Sequence, residues 1–165
     1  DIESFREIKK IDVGLNPYKI HADGQKDVYV VTRGDYERKD YAFHKIDSEI
    51  DEVVLTFEGL SVYNFEIHKD KAYMYNYDFN TGKSWIKVLD CMTERVIDEH
   101  FIKDNNIVIN TPYSISINPI NDDVYVTDAQ FFIFEGDLLC FNKNGEYKFR
   151  INEVGLNPNR ILFFE

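Results

Sequence analysis

Apolar and polar residues alternate along this chain in short runs, and clusters of Asp, Asn, Gly and Ser separate the runs. Alternation with a period of two puts successive side chains on opposite faces, which is the pattern of a half-buried β-strand. The first group of runs is Tyr18 to His21, Asp27 to Thr32, Tyr41 to Asp47 and Glu52 to Phe57. The second is Tyr63 to His68, Lys71 to Tyr77, Ser84 to Asp90 and Arg95 to Phe101. The third is Tyr113 to Asn118, Asp123 to Asp128, Gly136 to Asn142 and Glu146 to Ile151. Val, Ile, Tyr and Phe dominate the runs, and the breaks, such as Ala22-Asp23-Gly24 and Asn142-Lys143-Asn144-Gly145, carry turn chemistry. No segment of useful length shows the 3.6-residue period of a helix, so the chain reads as all β.

The groups are also copies of one another. Val13-Gly14-Leu15-Asn16-Pro17 returns as Val154-Gly155-Leu156-Asn157-Pro158, and looser copies begin at Leu60 and Asn110. Successive steps from Pro17 to Val62, Pro112 and Pro158 are 45, 50 and 46 residues. Four-stranded units repeating at this spacing predict propeller blades over 18–57, 63–101 and 113–151. Phe5 to Ile11 corresponds to the last strand of a preceding unit, and Asn159 to Phe164 to the first strand of a following one. Three blades do not close a ring, and an open array leaves sheet edges exposed. The expectation is therefore an arc of three blades with orphan terminal strands, a piece of a longer propeller. Completion of the ring by partner chains is the alternative.

Composition narrows the function classes. Across 165 residues, 44% are hydrophobic and 15% aromatic, ample for a buried core and far from the signature of disorder. The formal charge is −11, a surface that repels phosphate backbones, so nucleic acid and anionic membranes are poor partners. No apolar run approaches the length of a membrane span. Cys91 and Cys140 are too few for a disulfide framework and read as free, buried thiols. The start at Asp1 fits either removal of a targeting segment or the later part of a longer chain.

The repeated Pro-Tyr-x-Ile opening, the Asp27-Val28-Tyr29-Val30-Val31-Thr32 strand and the x-Ile-Asp strand end resemble the YVTN/YncE-like seven-bladed propellers. More narrowly, Val31-Thr32-Arg33-Gly34-Asp35-Tyr36, Tyr125-Val126-Thr127-Asp128-Ala129-Gln130, Leu139-Cys140-Phe141 and Gly155-Leu156-Asn157-Pro158 are similar to the Bacteroidetes branch of that family. That resemblance implies a surface lipoprotein of the outer membrane, or a periplasmic protein, whose anchor lies outside this chain. The branch includes propellers that capture cobalamin for outer-membrane uptake.

Candidate chemistry gathers on the long connections between second and third strands, Arg33 to Asp40, Asp78 to Lys83 and Ala129 to Glu135. Tyr18, Tyr63 and Tyr113 share one position at the start of their units, and in a propeller they would ring the channel mouth. Tyrosine offers a flat contact surface and a hydroxyl at small entropy cost. Arg33, Asp35 and Tyr36 follow the second strand of the first unit; Tyr77 and Asp78, then Asp128, Gln130 and Phe131, take the matching places later. Polar groups beside aromatics at such a rim can orient a small ligand. Filling of a tapering channel by the tyrosines, and an Arg–Asp pair within the loop, are the structural alternatives.

His21 and His68 share a turn position on the opposite face, and His44 and His100 lie in or at the end of strands. No His-x-His, Cys-x-x-Cys or His-Glu-x-x-His spacing occurs, so no transition-metal site or cofactor is indicated. Asp35, Asp78 and Asp128 would share a calcium ion only if their loops converged. No Gly-x-Ser-x-Gly or phosphate-binding glycine loop occurs either. The expected function is non-enzymatic capture of a small nutrient or cofactor-like molecule, a corrinoid, siderophore or glycan, beside an outer-membrane transporter. A protein-interaction scaffold using the extra connection 103–110, and a propeller lyase or hydrolase, are the alternatives.

Overall fold

A computed structural model of the chain describes residues 3–35 and 41–164. The alternating runs become strands β1 (Pro17–Ala22), β2 (Asp27–Thr32), β3 (Ala42–Asp47) and β4 (Glu52–Thr56) in the first group. The second group is β5 (Asn64–His68), β6 (Lys71–Tyr77), β7 (Ser84–Asp90) and β8 (Arg95–Asp98). The third is β9 (Pro112–Ile117), β10 (Val124–Asp128), β11 (Glu135–Phe141) and β12 (Tyr147–Leu156). Each group folds into its own four-stranded antiparallel sheet, with strands adjacent in sequence adjacent in space. The chain divides into two compact units, Asp1–Val62 with the first sheet and Tyr63–Glu165 with the other two.

The three sheets share irregularities as well as order. The fourth strand of each carries one extra residue, Val54, Ile97 or Lys148, at the same place in its ladder with the third strand. A residue inserted this way bends the strand and increases its twist. A second bulge falls at Tyr18 in β1 and at Tyr113 in β9, the shared tyrosine position. The two Gly-Leu-Asn-Pro copies also match in backbone: Gly14 and Gly155 have φ of 96° and 118°, and Asn16 and Asn157 have φ of 57° and 51°. Gly and Asn are the residues that tolerate this left-handed region.

Beyond shifts of a single residue, element boundaries differ from the sequence reading in three places. β12 runs on to Leu156, because Gly155 and Leu156 pair with Gly136 and Glu135. β8 stops at Asp98, short of Phe101. Residues 5–11 and 159–164, expected as terminal strands, carry no ladder in the structure. A strand is stabilised by its neighbour's hydrogen bonds, and these stretches instead lie near sheet side chains: Ile11 lines a cleft with Ile20 and Val30, and the Phe163 ring lies 5.4 Å from Tyr125.

The middle strands supply the cores. In the first unit Tyr29, Phe43 and Phe57 form a triangle of rings with centroids 5.2–6.2 Å apart. In the second unit β9 packs against β5 and β6, burying Phe65, Met74, Leu89, Val124, Leu139 and Phe141. Phe101 ties its two sheets together. Its ring meets Tyr73 edge-on at 5.6 Å and Phe141 at 6.2 Å, and its amide donates to the Ile86 carbonyl. The tightest connection in this unit is the two-residue turn Lys69–Asp70, with φ of 47° and 57°. Two left-handed residues make the turn type whose twist matches a hairpin.

Gly145 sits under Phe101 at φ +82°, where an added Cβ would collide with the Phe101 carbonyl oxygen. Both positions are therefore exacting. Phe101→Ala is expected to cost about 4 kcal/mol through the cavity it leaves. Gly145→Ala should destabilise as well, through both the collision and the positive φ. Urea denaturation of the two variants checks this, with a lowered midpoint expected in each.

Candidate functional site

The long connections join β2 to β3, β6 to β7 and β10 to β11, as the sequence pattern predicts. In the first unit Tyr18 is 52% exposed, and the Arg33 guanidinium carbon lies 3.2 Å from the centre of its ring. An arginine stacked on tyrosine gains from the ring's negative face. The amides of Arg33 and Gly34 donate to the carbonyls of Asn16 and Leu15 at 3.0 and 3.2 Å, so the Gly-Leu-Asn-Pro segment holds the start of this connection. Asp35 is exposed, and Tyr36 lies outside the described residues. Tyr18 also borders a cleft of about 360 Å³ whose apolar lining includes Ile11, Val13, Ile20, Val30 and Ile46.

In the second unit the predicted tyrosines join a larger aromatic assembly. Tyr63 and Tyr77 are buried and Tyr113 is half-buried. The Phe79 ring lies 5.7 Å from Tyr63 and 4.9 Å from Tyr77, and it stacks on Phe132 at 6.1 Å with 13° between planes. Phe132 in turn meets Tyr113 edge-on at 5.4 Å. The Tyr75 hydroxyl donates to the Tyr113 carbonyl, which joins β6 to the bulge at the start of β9. Phe79 remains 54% exposed, so the assembly keeps one ring partly open to solvent beside the buried Tyr63 and Tyr77. Asp78, a predicted polar contact, spends its carboxylate on its own turn. It accepts from the Asn80 amide at 2.8 Å and the Thr81 hydroxyl at 2.6 Å, and these bonds hold its pKa below the usual carboxylate value.

Asp128 has a different role from the rim contact expected of it. It is fully buried, and its two oxygens accept from the amides of Asn110, Thr111 and Gln130 at 2.7, 2.8 and 3.0 Å. Gln130 extends the network. Its side-chain nitrogen donates to Asp137 at 2.9 Å, and its side-chain oxygen accepts from Asn110 at 2.8 Å. The result is a rare backbone. Gln130, Phe131 and Phe132 have φ of 44°, 60° and 65°, three consecutive left-handed residues without a glycine. Each such residue costs roughly 1–2 kcal/mol, so the turn persists because its surroundings over-determine it.

Compared with known proteins, the chain matches no family model, and no curated protein is similar to it. The geometry therefore stands by itself.

Several other ionisable groups brace the fold. His68 Nε2 bonds Asp122 at 2.8 Å, and Lys69 Nζ contacts the same carboxylate at 2.6 and 2.9 Å, clamping the β5–β6 turn to the β9–β10 turn. Lys69 and then His68 hold the Asp122 carboxyl down to about 2. His21 bonds the Ala22 carbonyl, and His44 sits between the hydroxyls of Thr56 and Thr32 at 2.9 and 3.4 Å, its pKa lowered by burial. Cys91 and Cys140 are buried and form no disulfide among the described residues, and burial pushes the Cys140 thiol up. Among the described residues no group of three or more His, Cys, Asp or Glu is placed to hold a metal ion.

Sequence reasoning missed Phe79, Phe132, Asn110 and Asp137. The run Phe131-Phe132-Ile133-Phe134 was a usable signal, since four apolar residues in a turn-bounded connection need a reason.

Two outcomes follow from these networks. Asp128→Ala leaves the buried Thr111 amide and the half-buried amides of Asn110 and Gln130 without their acceptor and is expected to cost about 3 kcal/mol in chemical denaturation. Asp122 has a folded pKa below its unfolded one, so its contribution is complete above pH 4 and disappears as pH falls toward 2. Asp122→Asn should therefore flatten the pH dependence of the unfolding midpoint between pH 4 and 2, measured against the parent protein.

Proposed function

We propose that the three sheets are blades of a β-propeller and that their long-connection edge captures a small ligand without chemical conversion. Three features support the propeller reading. The strand order is the same in each sheet, the fourth-strand bulge recurs at one ladder position, and β9 packs onto β5 and β6 as neighbouring blades do. The observation that carries the ligand reading is the aromatic assembly of Tyr63, Tyr77, Phe79, Tyr113 and Phe132, with the Phe79 ring half open to solvent. Rigid rings backed by a braced loop suit a ligand with a flat or apolar face, at little entropic cost on binding. Asn80, exposed beside Phe79, stands in the same connection as a polar rim group. A corrinoid, a ferric siderophore and a glycan each present such a face, and delivery to an outer-membrane transporter at the cell surface would follow capture.

The test is a thermal-shift panel of corrinoids, ferric siderophores and oligosaccharides, followed by titration of any that raises the melting temperature. One class should stabilise the protein saturably. Phe79→Ala, at an exposed ring, should weaken that ligand about tenfold. A panel that moves nothing, or a ligand indifferent to Phe79→Ala and Tyr113→Phe alike, removes the reading.

A further inference from the structure

We propose that Asn144–Gly145 is a site of self-modification, converting to isoaspartate when the β11–β12 turn opens, and that Asn142 is the residue that keeps it closed. Asn144 is the one asparagine of this chain followed by glycine. Glycine has no side chain to shield its own backbone nitrogen, so that nitrogen can reach the asparagine side chain once the backbone rotates. Asn144 is exposed, and its side-chain amide bonds to nothing among the described residues.

The chemistry needs only water. The Gly145 backbone nitrogen gives up its proton to solvent and bonds to Asn144 Cγ. The bond from Cγ to the side-chain nitrogen breaks, and that nitrogen takes up a proton and leaves as ammonia, so that a cyclic succinimide remains. Water then opens the ring at either carbonyl, giving aspartate or isoaspartate. In isoaspartate the main chain runs through Cβ and Cγ and is longer by one atom.

The folded turn opposes the first step. The Gly145 N–H donates to the Asn142 carbonyl at 2.9 Å, so the proton that must leave is held, as in an amide protected from hydrogen exchange. Asn142 Oδ1 accepts from the amides of Asn144 and Glu146 at 2.9 and 3.1 Å, and Asn142 Nδ2 donates to Glu146 Oε2 at 2.6 Å. One side chain thus fixes the residues on both sides of the reacting bond. Beyond it, the Gly145 carbonyl accepts from the Lys103 amide at 3.1 Å, and Gly145 lies against the Phe101 carbonyl. Swinging the Gly145 nitrogen toward Asn144 Cγ therefore pulls the turn away from the residue that ties the two sheets of this unit. A lengthened main chain no longer fits that contact, so conversion loosens the tie. None of this depends on ligand capture, since the turn lies at the opposite end of β11 from the long connection.

The experiment follows the peptide carrying Asn144 by mass spectrometry, with the full chain kept in mildly alkaline buffer with and without urea. Conversion in the parent protein should be at least about tenfold slower folded than unfolded, because it proceeds only from the open turn. Asn142→Ala should convert about tenfold faster than the folded parent, with the parent's circular dichroism spectrum, because the turn loses its side-chain bonds. Asn142→Asp keeps the Oδ1 acceptor and should stay slow. Hydrogen exchange at the Gly145 amide should quicken in Asn142→Ala and not in Asn142→Asp. Equal conversion with and without urea overturns the proposal, as does no conversion in urea. So does an Asn142→Ala protein that folds and converts no faster than the parent. If that variant does not fold, the parent's two rates and the slow Asn142→Asp protein decide the matter, and a fast, folded Asn142→Asp protein overturns it.

Discussion

A carboxylate shut away from water must find its donors inside the protein, and Asp128 finds them on both sides of its sheet's edge. Asn110 and Thr111 come from the chain entering β9, and Gln130 from the chain leaving β10. One charged group thus ties together two segments that are distant in sequence. Charge-assisted bonds of this kind are about twice as strong as neutral ones, which is what a run of left-handed residues needs to hold it. Remove the carboxylate and the aromatic assembly loses its support along with the turn. The half-open Phe79 ring depends on Phe132, Phe132 on the turn, and the turn on Asp128.

The first unit solves the same problem with neutral partners. Its Thr32 occupies the place of Asp128 at the end of the second strand, and the Gly-Leu-Asn-Pro carbonyls receive the amides of Arg33 and Gly34. In the second unit the Thr111 carbonyl accepts from Ala129 in the corresponding geometry. The backbone bond is therefore the repeated element, and the side chain above it is free to vary. That freedom is why Asp128 looked from its position like a rim group.

Strand content and order were legible because two-residue alternation, β-branched residues and Asp/Asn/Gly breaks all agree in this chain. The fourth-strand bulges were not legible, since Val54, Ile97 and Lys148 share no chemistry and only the ladder reveals them. The tyrosine position was visible, but its meaning was not. Tyr18 and Tyr113 coincide with bulges, which alternation cannot register, and Tyr63 lies deep enough to be floor rather than rim. The left-handed turn was hidden as well, because Gln-Phe-Phe has no local preference for positive φ. Partners seventeen to twenty residues away, Asn110 and Thr111, impose it.

The two-residue turn at Lys69–Asp70 bears on the order in which the second unit assembles. Loop closure is paid before any ladder bond repays it, and the entropy lost grows with the length of chain enclosed. Among the described residues, β5 and β6 are joined by the shortest connection of any strand pair. Their hairpin is the least expensive nucleus in the unit, and it exposes the Phe65 and Met74 surface on which the later sheet can condense. The third sheet closes its own turns over longer connections, and Asp122 then reaches back to His68 and Lys69. The clamp at the hairpin end is in this sense a late latch on an early structure.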